Sequence, residues 1–168
     1  MNSAYQDIVE EVKNLKGIEE AIALAIEREI EARDFYLSKA ALMDNPKFSE
    51  LYEELADEEK KHIGYLEAYR AKKELPVIST DMPSGQSFTP EFDKARTKAG
   101  EITLGDAGIL LAAMRHERKS EDFYSEIAKR AADDTQKSFF EMLAKFERIH
   151  YELIDGYLEL LTGFRMQT

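Results

Sequence analysis

The chain has 168 residues, 43% of them hydrophobic, with a net charge of −11 and no cysteine. That size suits one domain around one core. The acidic balance argues against a nucleic-acid or anionic-membrane partner, because phosphate binding needs a cationic footprint. The missing thiols exclude disulfides, iron–sulfur clusters and all-thiolate metal sites.

The opening stretch MNSAYQDIVEEVKN is acidic and lacks an apolar signal core, and no window approaches eighteen uncharged apolar residues. Neither export nor membrane insertion is expected, and a cytoplasmic location is. Tyr5, Ile8, Val9 and Val12 fall at helical spacing, which predicts a short N-terminal helix that packs on the rest of the fold or on a partner subunit.

Gly17 to Met43 is rich in Ala, Leu, Ile and Glu with a helical apolar period, and Asp44-Asn45-Pro46 supplies a stop, a cap and a first-turn proline. A second helix is expected from Pro46 to about Leu75. The segment 76–103 then carries Pro, Gly and Ser punctuation. Within it a short helix can start at Thr89, and Phe88 and Phe92 would pin the segment to the bundle or to a second subunit. A third helix is expected over about 104–131, with Thr103 as cap and Asp106 three residues on. The fourth, over about 134–161, is capped by Asp133 or Asp134 and ended by Gly163.

The first and last helix pairs are joined by a few residues each, so each is an antiparallel hairpin. The middle link is long enough to run the length of a helix of about 27 residues, about 40 Å, and it leaves the second and third helices parallel. The expectation is an all-α four-helix bundle over 1–168, with one long crossover and the topology of the ferritin-like folds.

The two hairpins repeat one pattern. Glu29 and Glu117, Tyr36 and Tyr124, Glu59 and Glu147, and His62 and His150 are each 88 residues apart, with no insertion between them. The stretches EREIEARDFY and ERKSEDFY end alike, and both copies contain Glu-x-x-His. A duplicated hairpin explains this simply.

Positions alternately three and four apart form one face of a helix. On the first helix that face reads Ile22, Ala25, Glu29, Ala32, Tyr36, and on the third Leu110, Ala113, Glu117, Ser120, Tyr124. The second reads Phe48, Tyr52, Leu55, Glu59, His62, Leu66, Tyr69, and the fourth Phe140, Leu143, Glu147, His150, Ile154, Tyr157, Leu161. The acids and histidines thus interrupt apolar seams.

Four ionised carboxylates in one core would each cost several kcal/mol and would repel one another. No lysine or arginine lies on these seams. Two divalent ions would neutralise four carboxylates, with the histidines binding as neutral imidazoles. In Glu-x-x-His the two side chains lie on one face, one turn apart, so both reach the same metal pair.

With these residues in place, the sequence resembles the rubrerythrin-like branch of the ferritin-like diiron-carboxylate proteins over Gly17 to Leu161. The resemblance implies that Glu59 and Glu147 bridge two iron ions, that Glu29 and His62 complete one, and that Glu117 and His150 complete the other. It implies an oxo-bridged ferric form and makes Tyr36 and Tyr124 hydrogen-bond donors, each to the terminal glutamate of the opposite half. It further implies ferrous iron reacting with peroxide or dioxygen, a separate electron-donor protein, and a homodimer.

Two departures stand out. Ser120 occupies the place of an additional glutamate on the third helix, with Glu121 pointing elsewhere, and no rubredoxin-type centre is present. The six-ligand set is therefore closer to a simple ferroxidase centre. A ferritin-type storage subunit and a diiron hydroxylase are alternatives, although only seven residues follow Leu161, too few for a fifth cage-forming helix. Zinc or manganese also suits oxygen and imidazole ligands. His116 is expected at a surface or helix contact, Met114 and Met142 as core filler, and Lys60-Lys61 and Lys72-Lys73 on a solvated face.

Overall fold

The computed structural model describes residues 3–77 and 104–162, with the side chains of 104 and 160–162 left aside. The expectations for Thr89, Phe88, Phe92, Thr103 and Gly163 fall outside the described residues. Five α-helices carry the described chain: α1 (Ser3–Asn14), α2 (Ile18–Ala40), α3 (Pro46–Lys72), α4 (Leu104–Lys129) and α5 (Asp134–Thr162). Among the described residues there is no strand. The all-α bundle with a short N-terminal helix is the fold the chain has.

Local chemistry sets the helix ends. Gly17 precedes α2 at φ 156° and ψ −175°, backbone space essentially reserved for glycine. Asn45 caps α3 by accepting from the Lys47 N–H at 2.9 Å, and Pro46, which has no N–H to satisfy, takes the first turn. Asp133 accepts from the Gln136 N–H at 2.7 Å to start α5, while the Gln136 side chain reaches back to the Ala132 N–H at 2.8 Å. α3 ends on Lys73 in the left-handed region, φ 55°.

α2 packs on α3 and α4 on α5, each pair turned back by a short link. Hydrogen bonds then join α2 to α4 crosswise, Tyr36 to Glu117 and Tyr124 to Glu29. Rising numbers on one helix meet falling numbers on the other, so α2 and α4 are antiparallel. Since α2 is antiparallel to α3 as well, α3 and α4 run parallel.

The core forms two apolar clusters, one at each end. At one end Ile22, Ala25, Leu66, Tyr69, Phe123, Tyr124, Phe139, Phe140 and Leu143 pack together, joined by Ile8 and Val12 of α1. At the other lie Tyr36, Phe48, Leu51, Tyr52, Leu55, Leu110, Ala113, Met114, Ile154 and Tyr157. α1 lies on α4 of its own chain. Between the clusters sits a layer of six buried acids and histidines, so its position is fixed by apolar packing on both sides. No helix among the described residues is long and apolar enough to cross a membrane.

Candidate metal centre

Glu29, Glu59, His62, Glu117, Glu147 and His150 are all buried, the most exposed being His150 at 4%. One atom from each of Glu29, Glu59, His62 and Glu147 lies within 4.8 Å of every other, and the same holds for Glu59, Glu117, Glu147 and His150. The two groups share Glu59 and Glu147. α2 gives one ligand atom to the first group, α4 one to the second, and α3 and α5 a Glu and a His each.

The two histidines reach the acids of the layer at unequal distances. His62 Nδ1 lies 3.0 Å from Glu59 Oε2, 3.1 Å from Glu147 Oε1 and 3.4 Å from Glu29 Oε2. His150 Nδ1 lies 3.5 Å from both Glu59 Oε1 and Glu117 Oε2. Glu59 thus turns one oxygen to each half. The imidazoles face each other, rings 5.3 Å apart and 13° from parallel, with Phe146 stacked on the far side of His62.

Both terminal glutamates use one oxygen to accept a tyrosine proton and keep the other for the layer. Tyr124 donates to Glu29 Oε1, and Tyr36 to Glu117 Oε1. A hydrogen bond of this kind contributes about 0.5–1.5 kcal/mol, and it also fixes the carboxyl group's rotation. Ser120 is buried on the same α4 face. Glu121 lies outside the layer, beside Arg118 at 3.7 Å and Arg148 at 3.9 Å.

These residues fit a metal on a direct observation. Both oxygens of Glu59, Glu117 Oε2, Glu147 Oε1 and Nδ1 of both histidines are buried without a partner in hydrogen-bonding geometry. They belong to the two groups whose ligand atoms lie within 4.8 Å of one another. Buried polar atoms of this kind are rare in folded proteins, and a cation at each centre would satisfy all of them.

Without a cation the layer neutralises itself with protons. Burial pushes Glu29 up to about 8, helped by the charge of Glu59. Burial also raises Glu147 well above the usual range, with Glu59, Glu29 and Glu117 adding to it. Burial acts the same way on Glu59, but His150 and His62 together outweigh it and hold Glu59 well below the ordinary value. His150 rises to about 9: burial opposes its charge, and Glu117 and Glu59 overcome that. His62 rises well above its usual value for like reasons. In the metal-free protein burial thus favours the protonated forms of Glu29 and Glu147, and the surrounding acids favour charged His62 and His150, protons that metal must displace.

A model of the family described as Rubrerythrin matches residues 20–158. The chain belongs to the rubrerythrin family. Comparison with curated proteins and with solved structures returns no match. In this rubrerythrin-family chain the buried Glu and His side chains form two groups that could each hold a metal ion.

Sequence reasoning gave no role at this site to Tyr52, Asp106 or Arg28. Tyr52 is fully buried, its hydroxyl unpartnered, and its ring meets Tyr36 edge-on at 5.4 Å. Burial, then Glu117 and Asp106, push its phenol upward. Asp106 is 1% exposed, and its place on the α4 seam, four residues before Leu110, was the signal. Arg28 and His116, each one residue before a terminal glutamate, lie against Phe123 and Phe35. His116 is a helix contact.

Proposed function

We propose that the protein is a non-haem diiron-carboxylate oxidoreductase that oxidises ferrous iron and reduces peroxide or dioxygen. The observation that supports this best is the sharing of Glu59 and Glu147 between two four-residue groups. Shared carboxylates are what two adjacent ions require, whereas a mononuclear site would close on one group. Glu59 and Glu147 would be shared by two irons, Glu29 and His62 would hold one, and Glu117 and His150 would hold the other. When bound, the iron pair supplies electrons to the oxidant.

The protein's own part is positioning and proton management. The two apolar clusters exclude water, which keeps reactive oxygen species from side reactions. Tyr36 and Tyr124 hold the terminal carboxylates in one rotation. Glu29 and Glu147, whose pKa values burial raises, must give up their protons for metal to enter.

Ser120, in place of a carboxylate, favours ferroxidase turnover over an iron that changes ligands with redox state. The electrons come from ferrous iron itself or from a separate donor protein. Anaerobic addition of two ferrous ions per chain, followed by oxygen or peroxide, is expected to give the near-ultraviolet absorption of an oxo-bridged ferric pair. Binding of a single ion would remove the diiron reading. Oxidation rates with oxygen and with peroxide, measured side by side, separate ferroxidase from peroxidase.

A further inference from the structure

The two metal positions have the same ligands but different backing. Arg28 and His116 occupy equivalent places 88 residues apart, as do Phe35 and Phe123. In the half that holds Glu29, the Arg28 guanidinium carbon lies 4.4 Å from the centre of the Phe123 ring. Its Nη2 also donates to Glu11 Oε2 of α1 at 2.5 Å. Phe123 is fully buried and meets Tyr124 edge-on at 5.4 Å, and Tyr124 donates to Glu29. An unbroken line of contacts therefore runs from α1 to one terminal ligand. α1 is itself anchored, because Ile8 and Val12 enter the core, Tyr5 donates to Glu126 at 2.5 Å, and Lys129 donates to the Tyr5 oxygen at 3.2 Å.

In the other half the His116 ring stacks on Phe35 at 6.1 Å, the Lys39 ammonium lies 5.7 Å over it, and Phe35 is only half-buried. Among the described residues nothing plays the part of α1 there. Leu37 and Leu111, both more than 40% exposed, lie on the same two helices.

We propose that α1, through the Glu11–Arg28 pair, braces the metal position formed by Glu29 and His62. That position then binds its ion more tightly than the one formed by Glu117 and His150, and fills first. The inference rests on the diiron reading above. A ligand held in its bound rotation loses less freedom when metal arrives, and partners behind metal ligands typically change affinity by about 10–100-fold. Glu11 and Arg28 are positioning residues in this scheme.

The test titrates cobalt(II), read by its visible d–d absorption, anaerobically into the metal-free full-length chain. Wild type is expected to take up two ions in two resolved steps. Glu117→Ala isolates the braced position and Glu29→Ala the other, and each removes a buried acid whose burial is costly without metal. Added to Glu117→Ala, Glu11→Gln is expected to weaken binding about 10-fold; added to Glu29→Ala, it should change nothing. The exchange Glu11→Arg with Arg28→Glu should restore most of the loss. Two ions of equal affinity, or an equal effect of Glu11→Gln on both single-position variants, overturns the brace and leaves the diiron reading standing. Uptake of fewer than two ions by wild type overturns both.

Discussion

The half of the bundle built around Glu29 and the half built around Glu117 are near copies at the ligands and diverge one layer out. Tyr124 packs on Phe140, whereas Tyr36 packs on Tyr52. Asp106 occupies the place that Ile18 holds in the first repeat, 88 residues earlier. The end covered by α1 thus has Ile18 and Phe140 at the two places where the other end has a buried acid, Asp106, and a buried phenol, Tyr52. A duplicated hairpin keeps what chemistry demands of both copies, and drifts where only packing is at stake.

The sharpest way to break this comparison is to remove ligands. Glu59→Ala or Glu147→Ala takes an atom from both groups and is expected to abolish binding of both ions, whereas Glu29→Ala or Glu117→Ala should leave one. Metal analysis after gel filtration reads the difference. Equal losses from all four variants would show that the two centres are not separable.

The next largest effect compares the aromatic residues behind the ligands. Phe123→Ala should destabilise the metal-free protein by about 3–5 kcal/mol, as for a fully buried ring. Phe35→Ala, half-buried, should cost clearly less. Denaturant unfolding measures both, and equal costs would mean that Phe35 is covered as well as Phe123.

Smaller still are the crosswise tyrosines. Tyr124→Phe should weaken metal at the Glu29 position, and Tyr36→Phe at the Glu117 position, each by about 10-fold. The effect lands on the opposite hairpin from the substitution, which binding isotherms of the single-position variants would reveal.

A last comparison is the pH dependence of the melting temperature. Glu29 is raised to about 8 and His150 to about 9 in the folded, metal-free protein. A group with a raised folded pKa contributes stability below its unfolded value and loses it as pH climbs through the folded one. Glu29 therefore gives up stability between about 4.5 and 8 and His150 between about 6.5 and 9, so the metal-free protein should melt lower at pH 9 than at pH 6.5. The metal-loaded protein should not follow, because its ligands are already deprotonated. Thermal melts by circular dichroism at the two pH values, with and without metal, test the sign.

Much of this architecture could be read from the chain. The seam spacing put Glu59 and His62 among Leu55 and Leu66, and all of these are buried. The repeat of 88 residues selected the six residues that the fold gathers into two groups. Asn45-Pro46 gave the start of α3 because cap chemistry is local. What stayed hidden depends on distance in space. The resting place of α1 is set by Arg28 and Glu126, far from it in sequence. The opposite shifts of Glu59 and of Glu29 and Glu147 depend on which oxygen faces which imidazole, and spacing along a helix carries no such information.

One consequence lies in the even split of the ligands. Each hairpin contributes two glutamates and one histidine, half a cage, and the stacked imidazoles meet across the seam between halves. A lone hairpin of this design would bury acids it could not neutralise, and would gain by finding a twin and gluing the pair with cations. The present chain has the form of that embrace made permanent, the twins joined end to end so that assembly no longer depends on concentration.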